Sequence, residues 1–189
     1  MSIVSDIEKL KKEKNAVILA HYYVDDDVQD VADYIGDSFY LSKVATKVSQ
    51  DRIIFAGVEF MGESAKILNP EKRVFMPDIN ADCPMAHMAD KDEILKLREQ
   101  YDDLAVVCYI NSTAELKKYS DVCVTSSNAV KIVKNLPNKN IFFIPDRNLG
   151  HFVAKQCPDK NFIFNNGCCP RHVVITQDMV KKAKEEHPL

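Results

Sequence analysis

The 189 residues are 46% hydrophobic, enough for one or two packed domains, and carry a formal net charge of −3. That balance builds no field to gather nucleic acid or an anionic membrane. No stretch approaches the roughly 18 apolar residues of a spanning helix, and the N-terminus lacks a secretory apolar core, so the sequence predicts a cytoplasmic protein.

In chain order, residues 3–13 read as a first helix. Residues 16–20 (AVILA) form a short continuous apolar run, the mark of a strand buried on both faces. It leads into His21-Tyr22-Tyr23 and an acidic turn. Val28, Val31, Ala32 and Ile35 recur at helical spacing and predict a helix. Ser38 stands where it would N-cap the next one, whose Leu41, Val44, Ala45 and Val48 share a face. Residues 53–56 predict a second strand, 61–68 a helix ended by Asn69-Pro70, and 74–76 a third strand leading to Cys83. A linking helix over 90–100 follows. The second half then predicts strands over 104–108, 122–124, 141–144 and 161–164. Helices over 114–118, 129–136 and 149–156 separate them, and a last helix starts at Thr176.

The chain reads as one unit written twice. Asp82-Cys83-Pro84 returns as Cys168-Cys169-Pro170, 86 positions on. Tyr23 precedes Cys83 by 60 residues and Tyr109 precedes Cys169 by 60, which pairs the two tyrosines. Ser38 and Ser126 are 88 apart, as are Asn69-Pro70 and Cys157-Pro158. These matches divide the chain into units over 1–84 and 85–170, with 171–189 opening a further one. Short apolar strands alternating with helices predict an α/β fold of repeated three-layer α/β/α units with parallel sheets. Ligands of such sheets bind beyond the carboxyl ends of the strands. Tyr23, Tyr109, Asn111, Ser38, Ser126, Cys83 and Cys169 all fall at strand ends or helix starts.

In the cytoplasm thiols stay reduced, so six cysteines point to metal, cluster or packing rather than disulfides. No C-x-x-C spacing occurs. Cys83 and Cys169, one per unit, are either incidental thiols or ligands of a group shared by the units. Cys108 and Cys123 lie in apolar runs and read as small buried hydrophobes; Cys157 has no evident partner. Ser38 and Ser126 either cap helices or, with the helix N–H groups, bind phosphate or carboxylate. His21 and Tyr23 alternate after a strand, so their side chains point the same way. They suit acid–base work, and His21 equally suits a structural role.

Longer motifs then carry a resemblance. Residues 20–23 (AHYY), 28–34 (VQDVADY) with Gly36-Asp37-Ser38, 60–70 (FMGESAKILNP), 125–130 (TSSNAV) and 145–150 (PDRNLG) resemble the quinolinate synthase family, in order and across residues 15–189. The resemblance implies three like α/β domains about a pseudo-threefold axis, of which this chain holds the first two. It implies a [4Fe-4S] cluster held by one cysteine per domain, with Cys83 and Cys169 as two of the ligands. Asn165 stands where the family has tryptophan, which leaves Cys168 as a rival to Cys169. His21, Tyr23 and Tyr109 match catalytic positions, and His21, Ser38, Tyr109, Asn111 and Ser126 match substrate-binding ones. The implied reaction condenses iminoaspartate with dihydroxyacetone phosphate to quinolinate, for NAD biosynthesis, with the cluster as Lewis acid. An aspartate-oxidising enzyme would supply the iminoaspartate. The third domain, with the third cysteine, would come from a second chain. The competing expectation is a catalytically incomplete fragment that binds anionic metabolites without a cluster.

Overall fold

The computed structural model describes residues 2–188, which divide into two compact units on either side of the Cys83–Pro84 bond. Each is built on a four-stranded, all-parallel sheet. The first unit opens with helix α1 (Ile3–Glu13), then strand β1 (Ala16–His21), α2 (Asp26–Gln29), β2 (Tyr34–Gly36), α3 (Ser38–Ala45), β3 (Arg52–Ala56), α4 (Glu59–Leu68) and β4 (Arg73–Phe75). Its strand order is β2-β1-β3-β4. The second unit opens with a 3-10 turn (Pro84–His87). There follow α5 (Lys91–Gln100), β5 (Leu104–Tyr109), α6 (Ala114–Lys118), β6 (Val122–Val124), α7 (Ala129–Asn135), β7 (Asn140–Ile144), α8 (Arg147–Gln156), β8 (Asn161–Phe164) and α9 (Gln177–Glu186). Its order, β6-β5-β7-β8, is the same.

The apolar runs become strands because both their faces are covered. In the second unit, Ala105, Val107, Ile141 and Phe143 pack with Ala129 and Val133 of α7 and Val153 of α8. The alternate residues Leu104, Val106, Cys108, Phe142 and Ile144 pack with Ile94 of α5 and Leu116 of α6. Side chains alternate along a strand, so these two sets define the two faces of one sheet between two helix layers. In the first unit, Val17, Leu19, Ala20, Ile53 and Phe55 are buried, with Leu41, Ala45, Phe60 and Ala65 of α3 and α4.

One predicted element is replaced. The helical spacing of Val28, Val31, Ala32 and Ile35 yields only the four residues of α2, and the chain then straightens into β2. Asp33 is the cause. Its backbone N–H donates to the Ile18 carbonyl at 2.9 Å, and its carboxylate accepts from the Ile18 N–H at 2.8 Å. That grip lays Tyr34 beside Leu19 in parallel register. The second unit repeats the device at Asp121, which grips Val106 through the same two bonds at 3.0 and 2.7 Å. A cation from the helix ahead of the gripped strand holds each aspartate: Lys11 of α1 for Asp33 and Arg98 of α5 for Asp121, both at 2.9 Å.

The duplication extends to buried polar contacts. Lys72 donates to the Ala45 and Val48 carbonyls, and Lys160, 88 positions on, to those of Leu136 and Asn138. All four strands of one unit begin 88 residues before their counterparts in the other. The 60-residue spacing that pairs Tyr23 with Tyr109 is therefore misleading. β1 ends at His21 and β5 at Tyr109, so Tyr109 is the counterpart of His21, and Asn111 that of Tyr23.

One cysteine departs from expectation, and another, without an evident partner in the sequence, takes a place in the core. Cys123 is exposed on the edge strand β6 rather than buried. Cys157 lies fully buried in the core, at the C-cap of α8.

Candidate functional site at the strand ends

In each sheet the chain leaves the first central strand toward one edge and later returns to cross to the other side. The carboxyl ends of β1 and β3, and of β5 and β7, are thus the switch points where doubly wound sheets open a crevice. Each unit offers a candidate half-site there.

In the first unit, His21 closes β1 and is buried, while Tyr23 is 77% exposed. Their rings touch, with centroids 4.1 Å apart, and Tyr22 packs on His21 at 4.5 Å. The Tyr23 N–H donates to His21 Nδ1 at 3.2 Å. An Nδ1 that accepts leaves the proton of the neutral ring on Nε2, so His21 presents an N–H donor. Burial pushes the His21 pKa below the ordinary 6.5, against a smaller opposing pull from the Asp37 carboxylate. As pH falls, the unfolded chain therefore takes this proton before the folded one does. The contribution of His21 to stability is whole above 6.5 and is lost as pH falls from there through its folded-state value. In an NMR titration the His21 ring is expected to have its midpoint below 6.5, with His21→Gln flattening the acid limb of stability. A midpoint at or above 6.5 would sink this assignment.

Ser38 lies two residues beyond β2, as the first residue of α3, but it is not the cap. Asp37 is: its carboxylate accepts from the Tyr40 N–H at 2.7 Å. Adjacent to a free α3 N-terminus, a full negative charge satisfies the orphan N–H groups better than a hydroxyl does. The Ser38 side chain is thereby released from capping and is half-buried at the strand end.

In the second unit, Tyr109 closes β5 and Asn111 follows two residues on, and both are half-buried. Between them the Ile110 N–H donates to the Val124 carbonyl, extending the β5–β6 pairing past the strand. Ser126, two residues past β6, is exposed on a turn whose form is set by its neighbours. The Asn128 carboxamide accepts from the Thr125 N–H at 2.7 Å, and the Thr125 and Ser127 hydroxyls bond each other. So the turn is closed by Thr125, Ser127 and Asn128, and Ser126 is not the cap of α7, whose N-cap position is Asn128.

The three cysteines in question are half-buried. Two hydrogen bonds rank them. At the start of α4 the Glu59 N–H donates to the Ala81 carbonyl, and at the start of α8 the Arg147 N–H donates to the Gly167 carbonyl, both at 2.8 Å. Ala81 and Gly167 thus stand at equivalent points. Two residues on come Cys83 and Cys169, whereas Cys168 answers to Asp82. The approach of Gly167 is close: a Cβ there would lie 2.6 Å from the Pro145 carbonyl oxygen, so only glycine fits. Asn165, at the place of the family's tryptophan, is buried and donates to the Met88 and Pro145 carbonyls at 2.9 and 2.6 Å. It fixes the turn ahead of the cysteines. Among the described residues, no three His, Cys, Asp or Glu side chains gather to hold a metal ion, and no helix is long and apolar enough to cross a membrane.

Asp146, which the sequence offers only as part of the 145–150 motif and without a role, has one in the structure. It is buried at the carboxyl end of β7 and caps α8 by accepting from the Asn148 and Leu149 N–H groups. Its place immediately after an apolar strand and ahead of a helix was the readable sign.

Fold and half-sites together define a duplicated, doubly wound α/β protein that presents polar side chains at its switch points. Comparison with known proteins narrows this class. The family described as quinolinate synthetase A protein matches residues 5–189, and the chain belongs to that family. It is 62% identical over 182 residues to a quinolinate synthase of Fusobacterium nucleatum, covering 96% of this chain and 61% of the relative. It is 54% identical to one of Caldicellulosiruptor saccharolyticus, over 98% of this chain and 61% of the relative. It is 52% identical to one of Clostridioides difficile, over 96% and 60%. The chain thus spans about three-fifths of the length of these relatives.

Proposed function

We propose that the two units form part of a quinolinate synthase, which joins iminoaspartate to dihydroxyacetone phosphate, releases phosphate and water, and closes the pyridine ring of quinolinate. The observation that carries this reading is identity of 52–62% over nearly the whole chain to proteins of that name. The geometry agrees with it, since both half-sites gather hydrogen-bond donors of the kind that carboxylates and phosphate require.

Cys83 and Cys169 fit one cluster ligand each. They are half-buried thiols at equivalent turns, one per unit. They would hold two irons of a [4Fe-4S] cluster whose remaining protein ligand lies outside these two positions. When bound, such a cluster supplies Lewis acidity from an iron that no protein ligand occupies. The remaining work falls to the chain's own side chains. His21, held neutral by burial, donates from Nε2 to a substrate oxygen. Tyr23, exposed with its ring tilted against that of His21, stands beside that donor and offers a phenol to the substrate. Tyr109, the counterpart of His21, offers a phenol that can give or take a proton at the second half-site. Ser38, Asn111 and Ser126 add neutral donors that orient carboxylate or phosphate oxygens without fixing a counter-charge. The setting is cytoplasmic, with an aspartate-oxidising enzyme as the source of iminoaspartate.

The test is anaerobic reconstitution with iron and sulfide, followed by assay of quinolinate from the two substrates. It is run on this chain alone and with the segment of the Fusobacterium nucleatum relative that the chain does not span. Quinolinate from either preparation bears the proposal out. Bound iron without quinolinate, in a stable complex with that segment, overturns it.

A further inference from the structure

Cys108 and Cys123 have no part in that reaction, yet they are registered partners on neighbouring parallel strands, β5 and β6. Adjacent strands run about 4.8 Å apart, inside the roughly 4.4–6.8 Å Cα window of a disulfide. Registered residues also direct their side chains to one face of the sheet. The two thiols differ in access. Cys108 is fully buried among Ile94, Val106 and Leu116, while Cys123 is exposed at the sheet edge.

They also share a proton unequally. The neighbouring Cys123 thiol pulls the Cys108 thiol down to about 7, outweighing burial, and the Lys117 ammonium adds to the pull. Cys123 is pushed up, first by the Cys108 sulfur and then by burial. When protonated, Cys108 donates to the Tyr109 carbonyl at 3.5 Å. The exposed thiol is the one a small disulfide can reach, and the buried Cys108 thiolate beside it can take its proton and afterwards resolve the adduct.

We propose that Cys108 and Cys123 form a reversible dithiol–disulfide pair, oxidised by a low-molecular-weight disulfide that enters at the exposed edge of β6. Cys123 passes its proton to the adjacent Cys108 thiolate and attacks one sulfur of the small disulfide; a mixed disulfide forms and one small thiolate leaves. Cys108 gives that proton to the departing small thiolate and, again a thiolate, attacks the Cys123 sulfur; the protein disulfide forms and the second small thiolate leaves. Two electrons pass from the pair to the small disulfide, and the two protein S–H protons end on the two released thiols. Side-by-side Cβ atoms at about the strand spacing lie wider than the ~3.8 Å of a relaxed bridge, so the bond is strained and easily reduced. Formed, it clamps β5 to β6 one residue before Tyr109 and three before Ser126.

The experiment treats the reduced chain anaerobically with oxidised glutathione, quenches with acid, alkylates and digests with trypsin. Residues 99–117 and 119–131 are separate tryptic peptides with one cysteine each. They are expected to appear linked, lighter by two hydrogen atoms than their sum, and to separate on treatment with dithiothreitol. Cys108→Ser is expected to arrest Cys123 as the glutathione adduct, and Cys123→Ser to leave Cys108 unmodified. The proposal is overturned if the unsubstituted chain accumulates the Cys123 adduct with Cys108 still a thiol. It is equally overturned if both peptides stay reduced while Cys168 or Cys169 reacts, or if either peptide links to another cysteine instead.

Discussion

Replacing Cys169 with serine is expected to reduce the iron bound after anaerobic reconstitution to background, while replacing Cys168 leaves it unchanged. The contrast follows from the backbone. The Glu59 and Arg147 N–H groups, each opening a helix after a central strand, donate to the Ala81 and Gly167 carbonyls. The turn is thereby pinned at the same point in both units, and Cys169 stands as far past its pin as Cys83 does. Cys168 stands at the place of Asp82, whose carboxylate instead accepts from the Cys83 N–H at 2.7 Å. A single-atom ligand change at Cys169 removes a soft thiolate donor, and serine does not replace it for iron–sulfur clusters. Cys83→Ser is expected to match Cys169→Ser. The measurement is iron and acid-labile sulfide per chain, with far-ultraviolet circular dichroism to confirm that each variant folds. Iron retained in Cys169→Ser and lost in Cys168→Ser would reverse the assignment and detach the cluster from the duplication.

Much of the fold was legible because four strands, β1, β3, β5 and β7, are covered on both faces and so appear as unbroken apolar runs. The edge strand β2 was not legible. It has three residues, Tyr34 and Ile35 are exposed, and the valines before it happen to fall at helical spacing. Its formation depends on the grip of Asp33 on Ile18, a contact across 15 residues that no local window contains. The duplication was the one route to it, because Val122–Val124 carried back 88 positions falls on Tyr34–Gly36. At the candidate site, sequence reasoning reached the strand ends but mismatched the tyrosines. Cys169 lies two residues nearer the start of β8 than Cys83 lies to the start of β4, so a spacing counted back from the cysteines slips by two. Ser38 failed as a cap for a similar local reason: Asp37 lies next to it and carries the charge the helix end prefers. The roles of individual residues came from the long family motifs, which composition and spacing alone do not contain.

Asp121→Ala is expected to lower the stability of the second unit by about 1–3 kcal/mol. Val106 is fully buried, and its N–H has the Asp121 carboxylate as acceptor at 2.7 Å. Alanine leaves that donor unpaired away from water, and this is the larger part of the cost. The ion pair with Arg98 is partly exposed and adds only about 0.2–1 kcal/mol. Asp121→Asn keeps an acceptor while removing the charge, so it is expected to recover most of the loss. Urea unfolding, followed by hydrogen exchange of the β5 amides, reads both effects. Equal damage from alanine and asparagine would put the weight on the Arg98 pair instead, and no damage from either would dismiss the grip altogether. The same substitution at Asp33 is expected to act on the first unit through Ile18. The consequence reaches the site because each aspartate stands one residue before the edge strand it positions. It sets the register of β2 on β1 and of β6 on β5, and through that register the spacing between Ser38 and His21 and between Ser126 and Tyr109. Losing the grip is therefore expected to blur the half-site before it unfolds the sheet, with exchange rising at Tyr109 and Ile110 at urea concentrations where β7 stays protected.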